Sequence, residues 1–362
     1  MKNLTLFSAL LLLFLISCGS GDDSGNNTNP QPEAIYFPPV GSSVWESVTP
    51  ASLNWNETAL QALETYLNDS GTKSFIILKN GKIAMEWYGN GANANTNHQW
   101  NSAGKTLCAL VTGIAQQEGV LAIGQPSNQY LGNGWSSLRQ EQENNITVWH
   151  HLTMTTGLDY TVPNNFCYDI ECLTYKNVPG SFWYYHNAPY TLIQDIIAGA
   201  VQTSFTDYFN EKLRNPIGMQ GQWIEIGYNK IYFSTARSMA RFGILIQNKG
   251  VWENSPILSN AEYYNEMINT SQTMNKSYGY LWWLNGKDSF RVPGSEDVFQ
   301  GKLIPTAPND LFAAMGKDDQ RLYILPSEDL VVVRMGDNAE ESQFGPSSFD
   351  SELWERLMQV IE

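Results

Sequence analysis

The sequence predicts an α+β fold: one antiparallel sheet assembled from both ends of the chain and flanked by helices, with a mainly helical subdomain inserted at roughly 120–300. Three observations predict it. Strand patterns gather at residues 74–88 and return at 311–334. Helical patterns and aromatic loops fill the interval. The chain closes on an amphipathic stretch at 350–361. A length of 362 residues fits one large domain or two of ordinary size.

Each element has its own signal. Asn56 is placed to cap a helix whose Leu60, Leu63 and Leu67 share one face. Residues 74–78 and 83–87 flank Asn80-Gly81, the strongest short hairpin signal. Residues 105–118 read as a helix with Leu107, Leu110, Val111 and Ile114 on one face, stopped by Gly119. Residues 233–247 read as one amphipathic helix. Strands are expected at 311–314, 322–325 and 330–334, and a last helix with Leu353, Leu357 and Ile361 on one face.

Composition removes several functions. The formal net charge is −15, so no basic surplus exists to displace counterions from nucleic acid or to bind anionic lipid by charge. No nucleic-acid partner is expected. With 42% hydrophobic residues, 16% charged residues and 12 Trp, the chain can bury a sizeable core. No repeat of 20–50 residues is visible.

The N-terminus reads as an address. Lys2 precedes an apolar stretch, residues 4–16, too short for a membrane span and suited to export. Residues 15–18 (Leu-Ile-Ser-Cys) resemble the bacterial lipobox. The resemblance implies a lipoprotein signal peptide at 1–18, cleavage before Cys18 and acylation of that cysteine, which anchors the chain to the membrane. Residues 19–35 form a flexible tether, and 36–362 the folded domain. Position 19 is Gly and not the Asp that retains lipoproteins at the inner membrane of enteric bacteria. The expected location is therefore the cell envelope, at the outer membrane. Export also favours a local disulfide between Cys167 and Cys172. Cys108 sits in an apolar helix pattern and reads as a buried free thiol.

Chemistry centres on Ser102-Ala103-Gly104-Lys105. The P-loop alternative fails: Gln99 stands where its first glycine belongs, and no apolar strand precedes it. The pattern S-x-x-K opening a helix fits. Residues i and i+3 share a face, so the Ser102 hydroxyl can meet the Lys105 amine. Serine needs a base beside it, and burial disfavours the charged form of lysine. Ser70 and Lys73 share the spacing but lie in a turn with no amphipathic helix after it. His150 and His151 are adjacent and lack metal-ligand spacing, so no zinc is expected. No G-x-S-x-G elbow occurs.

Around this motif the chain resembles the serine β-lactamase and penicillin-binding-protein superfamily, in its class C and esterase-like branch. The stretches that carry the resemblance occur in order: residues 102–105, 146–158, 183–187, 234–243, 278–283, and 324–326 with 330–333. It implies a β-lactamase/transpeptidase-like fold and an acyl-enzyme on Ser102. The family's second motif is Y-x-N, which occurs six times here. Position selects Tyr185 and Asn187, with Tyr175 and Asn177 as alternatives. By the resemblance, Tyr185 shares proton transfer with Lys105 as general base and acid, and Asn187 binds the serine–lysine pair or the substrate. The third motif departs. No K-T-G or H-x-G is present, and residues 312–320 resemble the A-x-G-x-x-G-Q strand of esterase-like and 6-aminohexanoate-dimer-hydrolase relatives, with Asp319 in place of a glycine. That match implies that Gly316 lets substrate approach and that the Lys317 N–H joins the Ser102 N–H as an oxyanion hole. Trp183, Tyr184, Trp282 and Trp283 are candidates for the cleft wall or the core, and His186 borders the site. The expected function is a monomeric serine hydrolase acting on a small ester or amide without a cofactor. The alternatives are a penicillin-binding D-alanyl peptidase, a β-lactamase, or an inactive envelope-binding protein on the same fold.

Overall fold

The computed structural model describes residues 34–339 and 345–361. The leader, Cys18 and the tether up to residue 33 lie outside the described residues. In chain order the elements used below are α1 (Glu57–Asp69), β1 (Thr72–Lys79), β2 (Lys82–Tyr88), β3 (His98–Gln99), α2 (Lys105–Gln117), α3 (Asn187–Val201), β4 (Gln222–Ile226), β5 (Asn229–Ser234), α4 (Ala236–Gln247), β6 (Trp283–Leu284), β7 (Phe312–Gly316), β8 (Gln320–Leu325), β9 (Leu330–Gly336) and α5 (Ser348–Ile361).

The described residues form a six-stranded antiparallel sheet in the order β2-β1-β9-β8-β7-β6. Its centre joins the two chain ends: Ile76 on β1 lies opposite Val333 on β9. Asn80 and Gly81 turn the first hairpin with φ of 48° and 78°. Both are positive, the combination whose twist matches that of the flanking strands. Glycine at 81 has a second cause, since a Cβ there would lie 2.0 Å from the Tyr36 carbonyl. Asn56 caps α1 as its position suggests, accepting from the Ala59 N–H at 3.1 Å.

Side-chain alternation along β8 and β9 sets the layers. Leu322 and Val331 meet α4, where Gly243 leaves room for them. Arg321 and Tyr323 point to the other face and meet α5, with Trp354 edge-on to Tyr323 at 5.5 Å. The result is a helix–sheet–helix sandwich, the α+β architecture expected from the sequence. Two differences have local causes. Residues 233 and 234 end β5, pairing with Gln99 and His98, and Thr235 caps α4 by accepting from the Ser238 N–H, so the expected helix starts at 236. The 120–300 stretch is also less purely helical than its pattern: β4 and β5 join β3 in a separate three-stranded sheet, and α4 lies on the central sheet.

The α5 face buries charge. Arg321 has no exposed surface, and it binds Asp350 through Nε at 2.7 Å and Nη2 at 3.1 Å, and Asp319 at 2.8 Å. Arg334 stands directly opposite on β9 and donates to the carbonyls of Ser70, Asp318, Asp319 and Asp337. Two buried cations side by side depend on those partners, because an uncompensated charge in the interior is costly. Replacing Asp350 with Ala is expected to cost about 3–5 kcal/mol of stability, read as a lower urea unfolding midpoint.

Candidate active site

The site begins at a turn between β3 and α2. Asn101 has a φ of 49°, and residues Asn101–Gly104 wind tightly into α2. The cap positions ahead of this turn and of α2 are Trp100 and Gly104, so Ser102 lies inside the turn and not at a cap. Lys105 lies one turn on, with Nζ 3.0 Å from Ser102 Oγ and 3.0 Å from Asn187 Oδ1. The sequence suggested one apolar face for this helix. Instead its residues from Lys105 to Ala115 are all buried, so α2 is a central helix surrounded by protein. Lys105 is 3% exposed, and burial lowers its amine pKa to about 7.

α3 brings the second group. Tyr185 and His186 are its extended lead-in, and Pro189 sits in the first turn, where a backbone N–H has no helical acceptor. Asn187, Tyr190 and Gln194 recur at three- and four-residue spacing on one face. They meet Lys105 and Cys108 of α2: Asn187 binds Lys105, while the Tyr190 hydroxyl and the Gln194 amide each lie 3.8 Å from Cys108 Sγ. Tyr185 hydrogen-bonds Ser102, and burial raises its pKa well above the usual phenol value. Its ring stacks on Trp283 at 5.9 Å and meets Tyr278 and Trp183 at steep angles. Trp183, Trp282 and Trp283 are core residues. Tyr175, by contrast, is exposed and pairs with Leu158. Burial lowers the His186 pKa to about 4, which keeps the ring neutral.

The third wall is the β7–β8 turn. Gly316 packs against the nucleophile turn: a Cβ there would stand 2.3 Å from the Trp100 carbonyl. Its missing side chain therefore makes room for the Ser102 turn. Asn101 Nδ2 donates to the Lys317 carbonyl at 2.8 Å, and Gln99 Nε2 to Asp318 at 3.3 Å. Asp318 and Asp319 have φ of 60° and 52°. This left-handed backbone is one that glycine adopts without steric cost, the residue that the resembling motif has where Asp319 stands. Asp319 is held there by Arg321, the Ser347 hydroxyl at 2.9 Å and the Ala339 N–H at 3.0 Å.

These walls enclose a cleft of about 280 Å³. Ser102, Lys105 and Lys317 line it, together with Gln99, Asn101, Phe166, Tyr190 and the 229–231 edge of β5, which the motifs did not indicate. Helical spacing from Asn187 would have located Tyr190; nothing local marks the others. The structure joins Cys167 to Cys172, directly after Phe166, and Tyr228 on the β4–β5 turn hydrogen-bonds Asp169 within the closed loop.

A buried lysine thus lies beside a serine, an asparagine and a tyrosine, at a turn packed against the antiparallel sheet. The family model described as Beta-lactamase matches residues 61–343, and the chain belongs to that family. Among solved structures, a protein described as a 6-aminohexanoate-dimer hydrolase from Bacillus anthracis superposes with a TM-score of 0.65 at 19% identity, covering 83% of this chain and 81% of its own. One described as a β-lactamase from Bacteroides dorei DSM 17855 gives 0.67 at 16%, covering 85% and 99%. A penicillin-binding protein from Bacillus halodurans gives 0.58 at 15%, covering 80% and 98%. At these identities the likeness is one of fold. No match was found among curated proteins.

Changing Gly316 to Ala is expected to push β7 from the Trp100 carbonyl and cost about 1–3 kcal/mol, read as a lower unfolding midpoint.

Proposed function

We propose that the protein is a serine hydrolase that cleaves a neutral ester or small amide through an acyl-enzyme on Ser102. The observation that carries this is the Lys105 amine, buried and 3.0 Å from Ser102 Oγ, with its pKa lowered to about 7. At that value much of it is neutral near physiological pH, so its lone pair accepts the Ser102 proton as Oγ attacks the carbonyl carbon. The backbone N–H groups of Ser102 and Lys317 hold the oxyanion. Tyr185, kept as a neutral phenol by burial, gives its proton to the leaving group and regains one from Lys105. Water then attacks the acyl ester with the same pair as base. Asn187 orients Lys105 through its Oδ1.

Substrate class follows from β7. Ahead of Gly316 stand Ala314 and Met315, which offer neither charge nor hydroxyl. Relatives that use K-T-G have both there to grip a substrate carboxylate, and their absence favours neutral substrates. We further propose export and lipid anchoring through acylated Cys18. Its replacement by Ala should abolish metabolic labelling with palmitate and release the protein from the membrane fraction.

The chemical test uses the protein lacking residues 1–18, a fluorophosphonate probe and a fluorescent penicillin. Fluorophosphonate is expected to label the wild type and not Ser102→Ala. The rate should rise with pH through about 7 as Lys105 loses its proton. Lys105→Ala should slow it by about 10²–10⁴-fold. Stable penicillin labelling would instead support a peptidase, rapid turnover a β-lactamase, and no labelling by either probe a binding protein.

A further inference from the structure

The proton that Lys105 accepts creates a cation whose amine hydrogen-bonds a hydroxyl and an amide oxygen. Its surroundings can be taken element by element. From its own helix and turn come Ser102 and the Cys108 thiol, whose pKa burial pushes up to about 11. From the lead-in to α3 comes the Tyr185 phenol, and from α3 the Asn187 amide and Tyr190. Lys230 of β5 faces the same cleft, and both oxygens of Asp195 lie 2.9 Å from its amine. Across the cleft, Lys317 and Asp318 line the β7–β8 turn, with the Asp318 carboxylate taken up by Gln99 and Asn101. Among the described residues, no carboxylate hydrogen-bonds Lys105 Nζ. Two of its contacts are Ser102 Oγ and Asn187 Oδ1. The Tyr190 ring faces it too, with its centroid 4.0 Å from Nζ, nearer than the Tyr185 ring at 5.2 Å.

We propose that Tyr190 is a positioning residue for this reaction, its ring face stabilising the ammonium that Lys105 becomes when it takes the Ser102 proton. The inference rests on the serine-hydrolase reading above. An aromatic face attracts a cation through its quadrupole, most strongly where water is excluded, and a neutral amine gains little from it. The contact therefore favours the state reached during proton transfer over the resting state, which is the condition for speeding the chemical step. Tyr190 is 6% exposed, and its hydroxyl is turned toward Cys108 Sγ, 3.8 Å away. That orientation makes the ring, not the hydroxyl, the working part.

The test is the pH dependence of fluorophosphonate labelling at Ser102 in the folded protein. Tyr190→Phe keeps the face and should stay within about threefold of wild type, with its acid limb unmoved. Tyr190→Leu should slow labelling about 10–30-fold and move the acid limb to lower pH, because the ammonium loses stabilisation and the Lys105 pKa falls. Packing damage alone would lower the rate without moving the limb. A series of fluorinated phenylalanines at position 190, up to pentafluorophenylalanine, drains the quadrupole with little change of shape and should slow labelling step by step. A flat series, an unmoved limb in folded Tyr190→Leu, or Tyr190→Phe as slow as Tyr190→Leu overturns the inference while leaving Ser102 chemistry intact. A wild type that does not label overturns both.

Discussion

The burial of the Lys105 amine is the constraint on which the site depends. An amine in water keeps its proton until far above neutral pH; one surrounded by protein gives it up sooner, because the charged form loses its hydration. Holding it there requires α2 to be enclosed on every side, and the fold supplies that enclosure. α3 covers the Lys105–Cys108 face, the nucleophile turn packs on β7, and the Tyr263 ring lies against Gly113 on the far side of the helix. Each contact excludes water and fixes a partner in the same act. Asn187 binds the amine because it begins the helix that buries it.

The sheet matters to this site through its long-range pairing. β1 and β2 come from the start of the chain, and β7, β8 and β9 from its end, yet the β7–β8 turn must meet Asn101 and Gln99 within hydrogen-bond distance. The buried arginines hold that turn from behind. Arg334 takes the carbonyls of Asp318 and Asp319, and Arg321 takes the Asp319 carboxylate and then Asp350 of α5. The closing helix is thereby tied to the backbone beside Ser102. Asp319 lies in left-handed backbone, which costs a non-glycine residue local strain, and its buried ion pair offsets that cost.

β7 pairs with β8 through Gly316 and reaches the Ser102 turn there, and the residues ahead of that glycine, Ala314 and Met315, are apolar. The cleft is closed on another side by Phe166 and the edge of β5, and the Cys167–Cys172 link and the Asp169–Tyr228 hydrogen bond join those two walls. In the proposed reaction, these walls, which carry no family motif, would face the substrate, and the helices that carry the motifs would handle the proton.

The sequence by itself determined what local spacing can express. Asn80-Gly81 specified its turn because only positive φ at both residues matches the strand twist. Ser102 and Lys105 were bound to share a face because three residues nearly complete a helical turn. The ordered motifs told the family and, by position, picked Tyr185 and Asn187 from six triplets. The tertiary structure decided what depends on distant contacts. Residues 233–234 read as helix in isolation but joined β5, since pairing with β3 satisfied their backbone and Thr235 supplied the cap. The need for glycine at 316 comes partly from the Trp100 carbonyl, a neighbour 216 residues away in the chain. The low pKa of Lys105 and the ring beneath it exist only after α2 and α3 have packed, because hydration is lost to the whole enclosure and to no single neighbour in sequence.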